Sequence, residues 1–243
     1  MGNVLAAASS TSTVKRVVFT SSIIAMIPWE DFVERESDTV HDHQNPVESH
    51  STPSTHKLRS YAAFKSAEVQ TVHRFCVEHP QVSFDTITIY PGYAIGGNEL
   101  DTDHTQVLSG SNRPALGHLL GQDCRSHFGP FPSCSAHLND VAEVHVRSLS
   151  PNISGGHNFI VSSGGVRGTT WEDGEVIAKA RFSDHVRSGT IPLGGSVHTH
   201  RVLIDAQKTK TALEMVFQSY EQQVTDLVVH YLRMMERVSG TSM

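Results

Sequence analysis

The sequence predicts an α/β protein with a parallel sheet, because short β-rich runs alternate with helical patterns along the chain. The first strand is predicted over residues 15–20, a continuous β-branched and aromatic run that is typical of a strand buried on both faces. Two further strands are predicted over residues 84–90 and 158–162. Residues 58–78, between the first two strands, carry apolar side chains at helical spacing and predict a long helix.

Four more helices complete the prediction, over residues 3–10, 141–149, 170–181 and 220–237. Asn139 is the expected cap of the helix over 141–149, and Thr169 or Thr170 that of the helix over 170–181. The polar, acidic segment 30–56 predicts a long loop, and long loops inside compact domains are usually functional. A second loop, rich in Gly, Asp and Pro, is predicted to run to Pro114.

Composition excludes several classes of function. The 19 Lys and Arg residues are outnumbered by 25 Asp and Glu, the net charge is −6, and no dense basic run is present. These features disfavour a nucleic-acid partner and an anionic-membrane anchor. The longest apolar stretch, residues 17–29, is interrupted by Pro28 and is too short to span a bilayer. We therefore expect a soluble protein without nucleic-acid or membrane partners.

Cysteine and histidine usage points to a cytoplasmic protein without a metal site. Cys76, Cys124 and Cys134 form an odd set without a CxxC pair, which is typical of reduced thiols. The 16 histidines include loose pairs, but none of them forms an HExxH pattern or lies beside a cysteine pair. The N-terminus lacks the basic start of a signal peptide.

Tyr61 and Lys65 carry the clearest chemical signal. Their spacing puts both side chains on one face of a helix. A tyrosine with an ordinary pKa of about 10 is a poor acid–base catalyst at neutral pH, whereas a cation one turn away favours the phenolate. Such a pair can pass a proton to or from a carbonyl or alcohol oxygen. The same spacing is also common on helix surfaces, so this pair alone leaves a purely structural role open.

Neighbouring residues strengthen the catalytic interpretation. Ser21 and Ser22 follow the first strand at its carboxyl end, where open parallel sheets bind ligands. A serine there can donate a hydrogen bond to a reacting oxygen, although the hydroxyls could equally just end the strand. Residues 90–93 end the next strand, either as a simple turn or as a source of backbone amides for the same pocket.

These segments, in this order, resemble the extended short-chain dehydrogenase/reductases. The resemblance rests on residues 14–22, on Tyr61-xxx-Lys65 with Ala67-Glu68, and on Tyr90-Pro-Gly-Tyr93. The chain is most similar to the branch of dihydroflavonol 4-reductase, cinnamoyl-CoA reductase and the fungal methylglyoxal and aldehyde reductases. Further matching segments are residues 137–142, 170–173, 204–210 and 219–224. The likeness covers nearly the whole chain.

The resemblance implies a Rossmann-like parallel sheet with a smaller C-terminal substrate lobe. Residues 1–99 would be the C-terminal portion of the Rossmann-like domain. Residues 100–243 would mainly form the substrate-side lobe, with some segments returning to the sheet. The family's Gly-rich phosphate-binding turn has no counterpart in the sequence, which implies an N-terminally truncated sheet with an exposed edge.

The resemblance also implies roles for individual residues. Tyr61 would be the general acid, Lys65 would lower the pKa of Tyr61 and bind the nicotinamide ribose, and Ser22 would orient the carbonyl oxygen. The cofactor, NADP with NAD as the alternative, would contact Thr20, Ser21, Tyr61, Lys65, Pro91, Gly92, Tyr93 and Ala94. No metal is expected.

Three functions follow from the resemblance. The first is reduction of a small ketone or aldehyde, in secondary metabolism. The second is an inactive family remnant that acts as a binding or partner protein, and the third is an epimerase or dehydratase with the same Tyr-xxx-Lys pair. Because a Gly-rich turn is missing, we expect the chain alone to bind NADP(H) poorly.

Overall fold

A computed structural model describes residues 1–44, 57–124 and 129–240. Its helices are α1 (Gly2–Ser9), α2 (Lys57–Glu78), α3 (His104–Val107), α4 (Arg113–Leu116), α5 (Leu138–Ser148), α6 (Asp173–Arg181), α7 (Ser183–Arg187), α8 (Gln207–Ala212) and α9 (Tyr220–Gly240). Its strands are β1 (Arg16–Thr20), β2 (Val40–His41), β3 (Asp85–Pro91), β4 (Tyr93–Ile95), β5 (Phe131–Pro132), β6 (Ser135–His137), β7 (Asn158–Val161), β8 (Thr199–His200) and β9 (Leu203–Ile204).

A three-stranded parallel sheet in the order β1–β3–β7 forms the centre of the molecule. Arg16 lies opposite Asp85 at one end of the β1–β3 pair, and Thr20 lies opposite Ile89 at the other. The short pairs β2–β9, β4–β6 and β5–β8 are parallel too. The predicted α/β class with a parallel sheet is confirmed. Within the described residues β1 lies at an edge of the sheet, and residues 16–18 are only partly buried.

Alternating side chains of the strands pack against helices on both faces of the sheet. On one face, Phe19, Tyr90 and Ile160 share a core with Ala62, Val69 and Val72 of α2. On the other face, Ile87, Ile89, Phe159 and Val161 share a core with Val144 of α5. This arrangement fixes α2 over the sheet, where its first turns face the carboxyl ends of the strands.

A third hydrophobic cluster surrounds the fully buried Trp171 and joins α4, α6 and α9. The predicted loop to Pro114 contains α3 and a 3₁₀ turn, and the acidic segment contains a π-helical turn at Glu30–Glu34. That segment also contains β2, and its residues 45–56 lie outside the described residues. No helix in the described ranges combines the length and apolar character that crossing a membrane requires.

Two predicted helix caps are wrong. His137 caps α5, because its Nδ1 accepts a hydrogen bond of 3.0 Å from the backbone N–H of Asn139, which lies inside the helix. Helix α6 begins at Asp173 after Glu172, three residues later than predicted. Thr169 is unavailable as its cap, because its hydroxyl is hydrogen-bonded to the Ser135 hydroxyl at 2.6 Å.

Arg16 clamps the amino-terminal ends of the strands together. Its Nε and Nη2 donate to the two carboxylate oxygens of Asp85, at 2.6 and 2.7 Å. Its Nη1 donates to the carbonyls of Ser148 and Ser150, and Nη2 also donates to that of Ile153. The arginine side chain is only 12% exposed. One side chain therefore joins β1, β3 and the turn between α5 and β7.

We predict that Arg16→Leu lowers the free energy of unfolding by about 2–4 kcal/mol, because it leaves a carboxylate and three carbonyls without their donor. Urea unfolding followed by circular dichroism measures the change. Arg201→Leu is the matched control, because Arg201 pairs with the exposed Glu36 and Asp38 and with no other carboxylate among the described residues. This control should hardly move the unfolding midpoint. Equal losses in the two variants would contradict the clamp.

Candidate active site

The carboxyl end of β1 presents three hydroxyl-bearing residues. The backbone N–H of Ser21 donates to the carbonyl of Ile89 at 2.8 Å and so continues the contact between β1 and β3. Ser22 precedes the 3₁₀ turn Ile23–Ala25, and its Oγ accepts a long contact of 3.5 Å from the N–H of Ile24. This contact uses only a lone pair of the half-buried Ser22, so its hydroxyl hydrogen can be donated to a ligand.

Lys65 fastens α2 to this end of the strand. Its Nζ donates to the backbone carbonyl of Thr20 at 3.2 Å and lies 3.1 Å from the Glu68 carboxylate. The Lys65 and Glu68 side chains are 17% and 16% exposed, so the ion pair is largely shielded from water. The Lys65 ammonium therefore lies at the carboxyl end of β1, the predicted end of the sheet. It binds the carbonyl of the residue two positions before Ser22.

Tyr61 lies one helical turn before Lys65. The Lys65 ammonium is 5.9 Å from the centroid of the Tyr61 ring, within the range of a cation–π contact. Tyr61 is 44% exposed, so a ligand can reach its phenol. An accessible phenol beside a fixed cation is the arrangement that proton transfer to a substrate oxygen needs.

The turn between β3 and β4 brings the backbone to the same end of the sheet. Gly92 N–H donates to the carbonyl of Val161 at 3.0 Å, and Tyr93 N–H donates to the carbonyl of Cys134 at 2.8 Å. A Cβ on Gly92 would lie 2.6 Å from the Cys134 carbonyl oxygen. Only glycine allows this approach. The neighbouring Ala94 is paired with Ala136 of β6.

Tyr93 forms an aromatic wall beside Tyr61. Its ring makes edge contacts with Phe131 at 6.0 Å and with Trp171 at 5.5 Å between centroids. Burial raises the pKa of the Tyr93 phenol, and the neighbouring Cys134 thiol and Tyr61 phenol raise it further. Tyr93 is therefore neutral at physiological pH and suits a wall or a hydrogen-bond donor, not a base.

The predicted site residues thus lie at the carboxyl ends of β1 and β3 and on the facing turn of α2. Lys65 is in direct contact with Thr20, and Tyr61 is a neighbour of Tyr93. The catalytic roles of Ser22, Tyr61 and Lys65 stay predictions, as do the cofactor contacts.

Sequence reasoning missed two contacts of this region, the pairing of Glu68 with Lys65 and that of His145 with Thr20. Glu68 had a signal, since an acid three residues after a lysine on a helix can pair with it. No sequence signal predicted the contact of His145, because His145 lies 125 residues from its partner Thr20. His145 Nδ1 is 2.7 Å from the carbonyl of Val141, which can only accept a hydrogen bond. Its Nε2 forms a hydrogen bond of 2.7 Å with the Thr20 hydroxyl.

Comparison with known proteins finds relatives named ketoreductase and NAD-dependent epimerase/dehydratase. No family profile matches the chain. Ketoreductase CTB6 of Cercospora nicotianae is 28% identical over 242 residues, which are 98% of this chain and 66% of the relative. The NAD-dependent epimerase/dehydratase FUM13 of Gibberella moniliformis is 25% identical over 260 residues, 99% of this chain and 69% of the relative. The chain thus spans just under two thirds of the length of CTB6.

Solved structures share the fold. Yeast methylglyoxal/isovaleraldehyde reductase Gre2 complexed with NADPH has a TM-score of 0.73 at 20% identity, covering 96% of this chain and 69% of that chain. Gre2 of Candida albicans in complex with NADPH also has a TM-score of 0.73, at 19% identity, covering 95% and 68%. The fold is therefore a Rossmann-like α/β fold. With the Tyr61-xxx-Lys65 pair at the end of its sheet, the chain is similar to ketoreductases and NAD-dependent epimerase/dehydratases and resembles the extended short-chain dehydrogenase/reductases.

We predict that Gly92→Ala lowers the free energy of unfolding by about 1–3 kcal/mol, since its methyl group would press on the Cys134 carbonyl and separate β4 from β6. Thermal and urea unfolding measure this loss. Gly2→Ala serves as the control, because nothing lies within 4 Å of a Cβ at that position. If Gly92→Ala were as stable as Gly2→Ala, the close approach would not exist in solution.

Proposed function

We propose that this protein reduces a ketone or aldehyde to an alcohol with NADPH, with NADH as the alternative reductant. The observation that carries the proposal is the Lys65 ammonium, fixed on the Thr20 carbonyl one turn from the accessible Tyr61 phenol. The names of the relatives support it, since CTB6 is called a ketoreductase and Gre2 a methylglyoxal/isovaleraldehyde reductase bound to NADPH.

The residues present fit the nicotinamide end of such a cofactor. The Lys65 ammonium has three N–H donors, of which Thr20 and Glu68 engage two. The third has no partner among the described residues and would bind a ribose hydroxyl. Thr20, Ser21 and the turn from Pro91 to Ala94 would flank the nicotinamide. The bound nicotinamide would supply the hydride that reduces the carbonyl carbon.

The side chains would handle the oxygen of the substrate. Ser22 would donate a hydrogen bond to the carbonyl oxygen and hold it in place. Tyr61 would give its phenolic proton to the same oxygen as negative charge develops there. The adjacent Lys65 cation would stabilise the phenolate that remains, and the neutral Tyr93 would exclude water from one side.

An epimerase or dehydratase is the second candidate, because FUM13 and ALT6 of Alternaria alternata are both named NAD-dependent epimerase/dehydratase. Tyr61 and Lys65 suit the proton transfers of that chemistry as well. Cofactor turnover separates the two functions: a reductase consumes one NADPH for each carbonyl reduced, whereas an epimerase leaves the amount of cofactor unchanged.

Three further parts of the proposal concern the branch of the family, the metabolic role and the location in the cell. We assign the chain to the branch similar to dihydroflavonol 4-reductase, with a role in secondary metabolism and a cytoplasmic location. The structural neighbours of the Gre2 type support the branch. Cys76, Cys124 and Cys134 are all free thiols, which suits a reducing compartment.

The test is carbonyl-dependent oxidation of NADPH, followed by its absorbance with methylglyoxal or isovaleraldehyde as the probe. Tyr61→Phe should lower the rate at least about 100-fold, because it removes the proton donor but keeps the ring. Tyr231→Phe is the matched control, because Tyr231 packs against His104 in a separate cluster, and it should keep the wild-type rate.

Fluorescence titration with NADPH separates binding from chemistry, and Tyr61→Phe should bind NADPH nearly as well as the wild type. Because the chain alone is expected to bind NADPH weakly, the titration sets the NADPH concentration for the assay. Absence of carbonyl-dependent NADPH oxidation in the wild type at saturating NADPH would refute the reductase proposal. A Tyr61→Phe protein with full activity would refute the role of Tyr61.

A further inference from the structure

A separate cavity of about 500 Å³ lies at the carboxyl end of β7. Its lining comes from three segments: the turn after β7, helix α8 and the linker between α8 and α9. It contains none of the predicted catalytic residues Ser22, Tyr61 and Lys65. The proposed reductase function does not use this cavity.

Helix α5 holds the linker between α8 and α9, which forms one wall of the cavity. Arg147 Nη1 donates to the carbonyls of Leu213 and Glu214, at 2.7 and 3.1 Å. Asp140 accepts a hydrogen bond of 2.8 Å from the backbone N–H of Gln218. Because both ends of the linker are anchored, the cavity is formed without a ligand.

Most polar side chains that line the cavity already have partners. Gln207 Nε2 donates to the hydroxyl of Thr211 at 3.2 Å. Ser219 Oγ accepts from the N–H of Gln222 at 3.2 Å, and the Tyr220 hydroxyl donates to the carbonyl of Trp171 at 3.2 Å. Tyr220 therefore offers only its ring to the cavity.

Two polar groups of the lining have no hydrogen-bond or salt-bridge partner among the described residues. Ser163 is 3% exposed, and its Oγ has no hydrogen-bond partner in the part of the chain that the structure describes. Lys210 is half-buried and forms no salt bridge with a described carboxylate; its ammonium lies 5.9 Å from the centroid of the Phe217 ring. A buried hydroxyl and a cation left unpaired in one cavity indicate an anionic ligand.

We propose that this cavity binds a small organic acid, a carboxylate on an aromatic or aliphatic body. The carboxylate would pair with the Lys210 ammonium and accept from Ser163, whose hydroxyl turns toward the ligand by rotation about its Cα–Cβ bond. The apolar body would pack on Met215, Phe217 and the Tyr220 ring. One cation in a mainly apolar lining suits a monoanion better than a phosphate dianion.

The experiment uses 2-naphthoate as the probe and its neutral analogue 2-naphthamide, titrated into the ¹⁵N-labelled chain and followed by two-dimensional NMR. The amides of residues 163–165 and 211–217 should shift in a saturable way. Lys210→Gln should weaken naphthoate binding about tenfold, which corresponds to one charge-assisted hydrogen bond, and Ser163→Ala should weaken it several-fold. Naphthamide should bind the wild type and Lys210→Gln equally weakly.

Lys208→Gln is the matched control, because Lys208 lies on the same helix but does not line the cavity. This variant should bind naphthoate like the wild type. Naphthoate-induced shifts that do not saturate, or that lie outside the cavity, would overturn the proposal. It would also be overturned if Lys210→Gln bound naphthoate as tightly as the wild type does, or if the wild type bound naphthamide as tightly as naphthoate. If Lys210→Gln does not fold, as shown by lost chemical-shift dispersion in its spectrum, Lys210→Met is tested in its place. The titration contains no NADPH and no ketone or aldehyde, so its result is independent of reductase activity.

Discussion

The guanidinium of Arg16 sets the geometry on which the candidate site depends. It joins the first residues of β1 and β3 and the turn that follows α5. Parallel strands advance together from a common register, so fixing Arg16 opposite Asp85 also fixes Thr20 opposite Ile89. Strand β1 has only one neighbour in the described sheet, and no second strand restrains it. The position of the Thr20 carbonyl, which binds Lys65, therefore depends on the Arg16 contacts at the opposite end of β1.

The candidate site is built largely on backbone groups. Lys65 is anchored on a carbonyl, and the turn at Gly92 is held by the carbonyls of Val161 and Cys134. Thr20 connects both faces of the sheet, because its carbonyl binds Lys65 of α2 while its hydroxyl binds His145 of α5. Backbone carbonyls keep their positions when neighbouring side chains change. The same backbone can therefore support different substrate pockets.

The long elements could be predicted from the sequence because their signal is local. Strands β1 and β3 and helix α2 were placed within a residue or two, since unbroken β-branched runs and helical spacing need no distant partner. The two-residue strands β2, β5, β8 and β9 have no such signal, because each exists only through its pairing with a distant segment. The site followed the same rule: Tyr61 and Lys65 were visible as a spacing, whereas the contact of Thr20 with His145 was not.

Tyr93 packs against both the cluster under α2 and the cluster around Trp171. Its backbone is tied to β6 and its ring is held edge-on by Phe131 and Trp171. Sliding of one cluster against the other would break these aromatic edge contacts. Tyr93 therefore belongs to both clusters at once, so a change in the packing around Trp171 would reach the neighbourhood of the Tyr61 phenol through this one side chain.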